Sequence, residues 1–235
     1  MTLSDFPTSP RPLPPARNIS LWRLTPIIEN HEPLVDLEDY GFPVDCVYYR
    51  QGIPGSLPRC LARQGVAQRL RVARKLLPES YDLLIWDAYR PLAVQQFLFN
   101  RYKAQLRREH PELSEESLVE RTQVYISLPS DDPTQPSPHS TGAAIDLTLV
   151  RAGVALDMGS PFDHFGPEAA THYFEDASDP DGLLIRDRRR LFYDVLSSAG
   201  LKNYPQEWWH WSFGDQMACV SSQKPAVYGR VRAEG

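Results

Sequence analysis

The chain has 235 residues, with 25 lysines and arginines against 30 aspartates and glutamates, for a formal net charge of -5. That balance excludes a general electrostatic pull towards nucleic acid or an anionic membrane surface, and no apolar run reaches the length of a membrane span. Cys46, Cys60 and Cys219 are widely spaced and form no C-x-x-C pair, which predicts reduced thiols. Residues 1 to 7 carry no basic patch followed by an apolar core, so no secretory signal is read there and a cytoplasmic location is expected. No internal repeat divides the chain. The expected organisation is a proline-rich arm over residues 1–18 followed by one domain over residues 19–235.

Pro7, Pro10, Pro12, Pro14 and Pro15 prevent regular pairing and predict an extended arm, loosely ordered or draped over the body. Residues 19–24 and 44–49 read as short strands, and Pro54, Gly55 and Pro58 mark a turn. Leu61, Val66, Leu70, Ala73 and Leu77 then recur at helical spacing, with Arg63, Arg69, Arg71, Arg74 and Lys75 forming a solvated face. Residues 81–87 (YDLLIWD) form an apolar strand that runs into Ala88-Tyr89-Arg90-Pro91. An arginine before proline is held extended, so Arg90 is expected at a strand end with its guanidinium available. A helix follows to about Arg108, with Val94, Phe97, Leu98, Tyr102 and Leu106 on one side. Ser114 is placed to cap a second helix, and Glu115 and Glu116 suit its positive end.

Chemistry is densest from Ser137 to Asp146 (SPHSTGAAID). Ile145, Leu147 and Leu149 alternate with Asp146, Thr148 and Val150, a strand period that puts Asp146 opposite the apolar set. Gly142 permits a tight turn, which would fold His139 back beside Asp146. An imidazole nitrogen and a carboxylate oxygen both suit zinc, whose catalytic sites usually hold three protein ligands and an open fourth position. Residues 207–211 (EWWHW) offer the third ligand in His210 and a general base in Glu207, with Trp209, Trp211 and Phe213 facing the core. Gly153 predicts a hairpin turn, and residues 186–198 a last amphipathic helix stopped by Gly200. Arg188, Arg189 and Arg190 read as a charged face of that helix. His164 and His172 are the substitutes available as ligands. The sequence holds no G-x-S-x-G, no H-E-x-x-H and no glycine-rich phosphate loop.

WDAYRP (residues 86–91), S-x-H-x-x-G-x-A-x-D (137–146), DMGSPFD (157–163) and EWWHW (207–211) occur in this order. In this set the chain resembles the zinc-dependent D-alanyl-D-alanine dipeptidases of the vancomycin-resistance type, from about Leu24 to Phe213. The resemblance implies an α+β fold with a central antiparallel sheet flanked by helices and the zinc on the sheet face. It implies one Zn2+ per chain held by His139, Asp146 and His210, with Glu207 as catalytic base and Arg90 stabilising the transition state. Ser137 would hold the C-terminal side of a small dipeptide substrate, and Asp163 its free amino group. No nucleic acid or membrane partner is expected, and the oligomeric state, a homo-oligomer included, is left open. Two other readings stand beside it: a zinc D,D-carboxypeptidase acting on peptidoglycan stem peptides, and a non-catalytic zinc-stabilised binding module.

Overall fold

The computed structural model describes residues 11–222 and 224–233. Residues 11–18 hold no helix or strand and lie against the body. Arg17 donates to the carbonyls of Asn203, Met217 and Ala218, and the Pro14 carbonyl accepts from His172. Pro7 and Pro10 lie outside the described residues.

Neither early strand expectation holds. Trp22–Leu24 is a 3-10 turn closed by Thr25 N–H on the Trp22 carbonyl. Leu34–Asp36 is β1. Val47–Arg50 is a one-turn helix, α1, in which Arg50 N–H reaches the Cys46 carbonyl; only Val44, before it, makes a single bridge to Ile85. Four residues that close their own backbone bond need no neighbouring strand, and the turn buries Val47 and Tyr48. Leu61–Arg63 is β2, antiparallel to β1, and the helix α2 runs only over Gln64–Leu76. The Leu61 carbonyl is taken by Tyr89 N–H at 2.7 Å, which holds this segment out of the helix. Arg63 is therefore not on a solvated face. It is buried and donates to the carbonyls of Glu32, Thr141 and Gly229 and to the Glu29 carboxylate.

Tyr81–Asp87 is β3, and Leu92–Glu109 and Glu115–Gln123 are α3 and α4, with Ser114 Oγ accepting from Ser117 N–H as the capping pattern requires. Phe97 is 40% exposed, whereas Phe99 takes a buried place on the inner side of α3. Ala144–Arg151 (β4) and Val154–Ala155 (β5) form the hairpin around Gly153. Pro180–Ser198 is α5, followed by Gly200 in the left-handed region at φ 90. Lys202–Asn203 (β6), His210–Ser212 (β7) and Gln216–Cys219 (α6) complete the fold.

The central sheet is antiparallel throughout, in the order β3-β4-β7-β6, with β5 on β4. β4 is buried at every position but the last, because helices cover one face and the site's own loops the other. Ile145, Leu147 and Leu149 pack with Val66, Leu70 and Ala73 of α2 and Phe192, Val195 and Leu196 of α5 in the main apolar cluster. A smaller cluster joins Tyr48 and Ile53 to Val94, Leu98, Tyr102 and Leu106 of α3 and Leu118 of α4. The arginine triplet on α5 departs from expectation. Arg189 is buried and donates to the carbonyls of Met158, Glu168 and Ala170, and burial lowers its pKa to about 9. Arg188 donates to the Asp157 carbonyl, and Arg190 forks onto Glu175.

Candidate active site and metal centre

Sheet register builds the first part of the site. Asp146 on β4 lies directly across from His210 on β7, and Asp87 on β3 lies across from Asp146 on the other side. Residues paired across an antiparallel ladder share a face, so the three side chains form one row. The register shifts between Ile85 and Asp87, and this irregularity is what brings Asp87 into the row. His139 arrives from a 3-10 turn over Pro138–Thr141, which Gly142 ends at φ 68. A side chain at Gly142 would collide with Leu34, whose Cδ2 lies 2.4 Å from an ideal Cβ.

His139 Nδ1 sits 2.7 Å from the Ala88 carbonyl and 3.3 Å from Asp87 Oδ2. Nδ1 therefore carries the proton, and Nε2 presents a lone pair. That lone pair faces His210 Nδ1 at 3.1 Å and Asp146 Oδ2 at 3.3 Å, while His210 Nδ1 lies 3.0 Å from Asp146 Oδ1. The other nitrogen of His210, Nε2, is buried with no hydrogen-bond partner. Three acceptor groups within 4.8 Å of one another, all buried, repel unless a cation or protons lie between them. Two nitrogens and one carboxylate fit a divalent transition metal and leave a coordination position free. Burial opposes ionisation of Asp146, yet His139 and His210 outweigh it and hold its carboxyl well below the usual range. His164 bonds to Glu168 and His172 to the Pro14 carbonyl, and neither joins the cluster.

Glu207 and Arg90 flank the three. Asn203 staples the turn before β7, its Nδ2 donating to the carbonyls of Glu207 and His210 while Thr171 donates to its Oδ1. The Glu207 carboxylate lies 3.9 Å from His210 Nδ1. Burial, with Asp146 and Asp163 nearby, raises its pKa well above the ordinary carboxylate value, and Arg90 offsets this only in part. Arg90 is buried and donates to Asp87 Oδ2 at 2.9 Å, Gln95 Oε1 at 3.0 Å, Asp146 Oδ2 at 3.2 Å and the Tyr48 hydroxyl at 3.3 Å. Burial works against its charge, but Tyr48, Asp87, Asp146 and Asp163 outweigh it and keep the guanidinium protonated.

Asp163 adopts φ 59, a left-handed conformation that costs a non-glycine residue free energy. Its carboxylate accepts from the Tyr48 hydroxyl at 3.1 Å, and burial pushes its pKa up to about 6. His139, Asp146, His210, Glu207, Arg90 and Asp163 all line one cleft of about 860 Å³. Ser137 stands one layer back: Pro138 lines the cleft, and the Ser137 hydroxyl is buried without a partner. Sequence reasoning missed Tyr48, Asp87, Gln95 and Asn203. Asp87 was findable, since it ends an apolar strand beside Arg90; Tyr48 was not, because its segment reads as a strand.

The cluster can hold a cation, Glu207 can take and return a proton, and Arg90 can face an oxyanion, which together meet the needs of amide hydrolysis. Known relatives agree in kind. The chain belongs to the D-ala-D-ala dipeptidase family, which matches residues 47–228, and it is a peptidase of that family. It is 34% identical over 194 residues to a D-alanyl-D-alanine dipeptidase of Synechocystis sp., covering 72% of this chain and 78% of the relative. It is 33% identical over 166 residues to the D-alanyl-D-alanine dipeptidase of Enterococcus faecium, covering 67% and 75%. Among solved structures, the LdcB LD-carboxypeptidase aligns with 84% of this chain and 76% of its own at 19% identity and a TM-score of 0.42.

Proposed function

We propose that the protein is a zinc peptidase that splits the dipeptide D-Ala-D-Ala into two D-alanines, with one zinc per chain on His139, Asp146 and His210. The observation that carries this reading is the convergence of His139 with the cross-strand pair Asp146 and His210, between the buried Glu207 and Arg90. Zinc, when bound, would polarise the scissile carbonyl and acidify the attacking water. Glu207 takes the proton of that water. The same carboxyl then returns the proton to the leaving amine. Arg90, locked by its four acceptors, donates to the developing oxyanion, an effect typically worth about 3 to 4 kcal/mol per donor.

Asp163 receives the free amino group, with the Tyr48 hydroxyl steadying its carboxylate. An acylated amine brings no positive charge to that carboxylate, which restricts the substrate to free dipeptides. We assign Ser137, whose buried hydroxyl has no partner behind Pro138 of the cleft wall, to the C-terminal side of the substrate. The cytoplasm is the location we assign, in keeping with three free cysteines.

Amino-acid release by zinc-loaded protein tests the reading, with D-Ala-D-Ala, L-Ala-L-Ala and N-acetyl-D-Ala-D-Ala in parallel. Release from the free D,D-dipeptide alone is expected, lost in Glu207→Ala. Release only from the acetylated substrate overturns the reading in favour of a carboxypeptidase.

A further inference from the structure

The cleft continues well past the cluster. Its wall follows α3 from Gln95, which is bonded to Arg90, to His110. At the helical rise that stretch spans roughly 22 Å, whereas an extended dipeptide covers only about 7 Å. The volume of about 860 Å³ lies high in the range of about 300 to 1,000 Å³ that serves drug-sized ligands. Two alanines therefore fill one end and leave the rest open.

The open part carries an aromatic wall, set among Arg101, Gln105, Arg108, Glu109 and His110 of the same lining. Phe165 follows Asp163 by two residues in the same loop. Its ring centroid lies 4.2 Å from that of Tyr102 and 5.4 Å from that of Tyr125, and all three line the cleft with Leu98 and Ile126. The left-handed backbone at Asp163 fixes the direction in which this loop leaves the carboxylate. With the amine on Asp163, the Phe165 wall two residues along would be open to the side chain of that same residue, and the second residue would lie towards Arg90 and the metal ligands. The three rings, tilted 38 to 77° to one another, offer apolar faces and edges against which an incoming ring or branched chain gains contact.

We infer that this outer arm is a subsite for the side chain of the amino-terminal residue, and that the substrate class includes D,D-dipeptides whose first residue is aromatic or bulky and aliphatic. The inference rests on the dipeptidase reading above and goes beyond it in naming which end of the substrate is permitted to grow. Alanine in that position leaves the aromatic wall in water, so a large first residue gains affinity that D-Ala-D-Ala cannot.

The test separates binding from turnover. Zinc-loaded Glu207→Gln protein is titrated calorimetrically with D-Ala-D-Ala, D-Phe-D-Ala and N-acetyl-D-Phe-D-Ala. D-Phe-D-Ala is expected to bind about tenfold tighter than D-Ala-D-Ala, as filling an apolar pocket typically gives, and Phe165→Ala in the same background is expected to remove the advantage. Tyr125→Ala trims the same wall from another element and gives the same readout should Phe165→Ala misfold. D-Phe-D-Ala binding no tighter than D-Ala-D-Ala overturns the subsite, as does an advantage that survives both wall variants. Tighter binding of the acetylated peptide than of the free one also overturns it, because the arm then holds a chain extension. If D-Phe-D-Ala binds as expected while wild-type protein hydrolyses neither dipeptide, the dipeptidase reading fails and the subsite stands.

Discussion

The main apolar cluster and the smaller one meet at Phe162, which packs against both, and they supply different things to the cleft. The main cluster holds the sheet: Ile145 and Leu147 flank Asp146 on β4, and Trp209 and Trp211 flank His210 at β7. The smaller cluster holds the recognition side, with Tyr48, Leu98 and Tyr102 among its members and Phe165 packed against it. The proposed metal ligands thus come from strands and a tight turn locked by a large core. The groups proposed to choose the substrate come from helices and a loop on a lesser one. Position is thus fixed where a misplacement of about 1 Å is costly.

Four substitutions bear on that division. Arg90→Lys should lower kcat/KM by about 10² to 10³-fold while the zinc content, read by atomic absorption, stays near one per chain. A lysine has no planar fork to satisfy Asp87, Gln95, Asp146 and Tyr48 together. Unchanged turnover would show that the guanidinium is only a structural brace. On the recognition side, the Asp163 carboxyl is raised to about 6, so its charged form exists above that pH and is lost below it. KM for a free dipeptide should then rise by roughly tenfold per pH unit below about 6, and Asp163→Asn should flatten that dependence. A flat KM profile in the wild type would remove Asp163 from amine recognition. The smallest effect on the chemistry is expected from paired core truncations. Leu118→Ala and Leu147→Ala should each cost about 2 to 5 kcal/mol in denaturant unfolding, but only Leu147→Ala should weaken zinc binding, whereas Leu118→Ala should act on KM. Equal effects on zinc would mean that the two clusters do not act separately.

The sequence made the inner half of the site legible because its residues are tied to strand period and short spacing. Asp146 could be set opposite its apolar neighbours by alternation, and EWWHW needed only a loop and a strand to deliver Glu207 and His210 together. Arg90 was legible through Pro91. The recognition half was less so: Tyr48 sits in one helical turn, where a run of Val47, Tyr48 and Tyr49 reads as β-forming, and its partners Arg90 and Asp163 are far along the chain. Arg63 and Arg189 were misread for one reason. A run of arginines on a helical pattern resembles a solvated face, and only the folded chain reveals carbonyl groups turned inward to receive them.

Arg63 has a consequence that belongs to time rather than geometry. Its side chain gathers the Glu29 carboxylate and the carbonyls of Glu32, Thr141 and Gly229, and its own N–H reaches the Gly142 carbonyl behind the His139 turn. A ribosome extends a chain from one end at about 5 to 20 residues per second, so His139, Asp146 and His210 are all made before Gly229 can arrive. The brace behind the first ligand is completed by a segment made after all three. A nascent chain that already carries the three acceptors lacks, until residue 229 docks, the last of the carbonyls that the Arg63 side chain gathers.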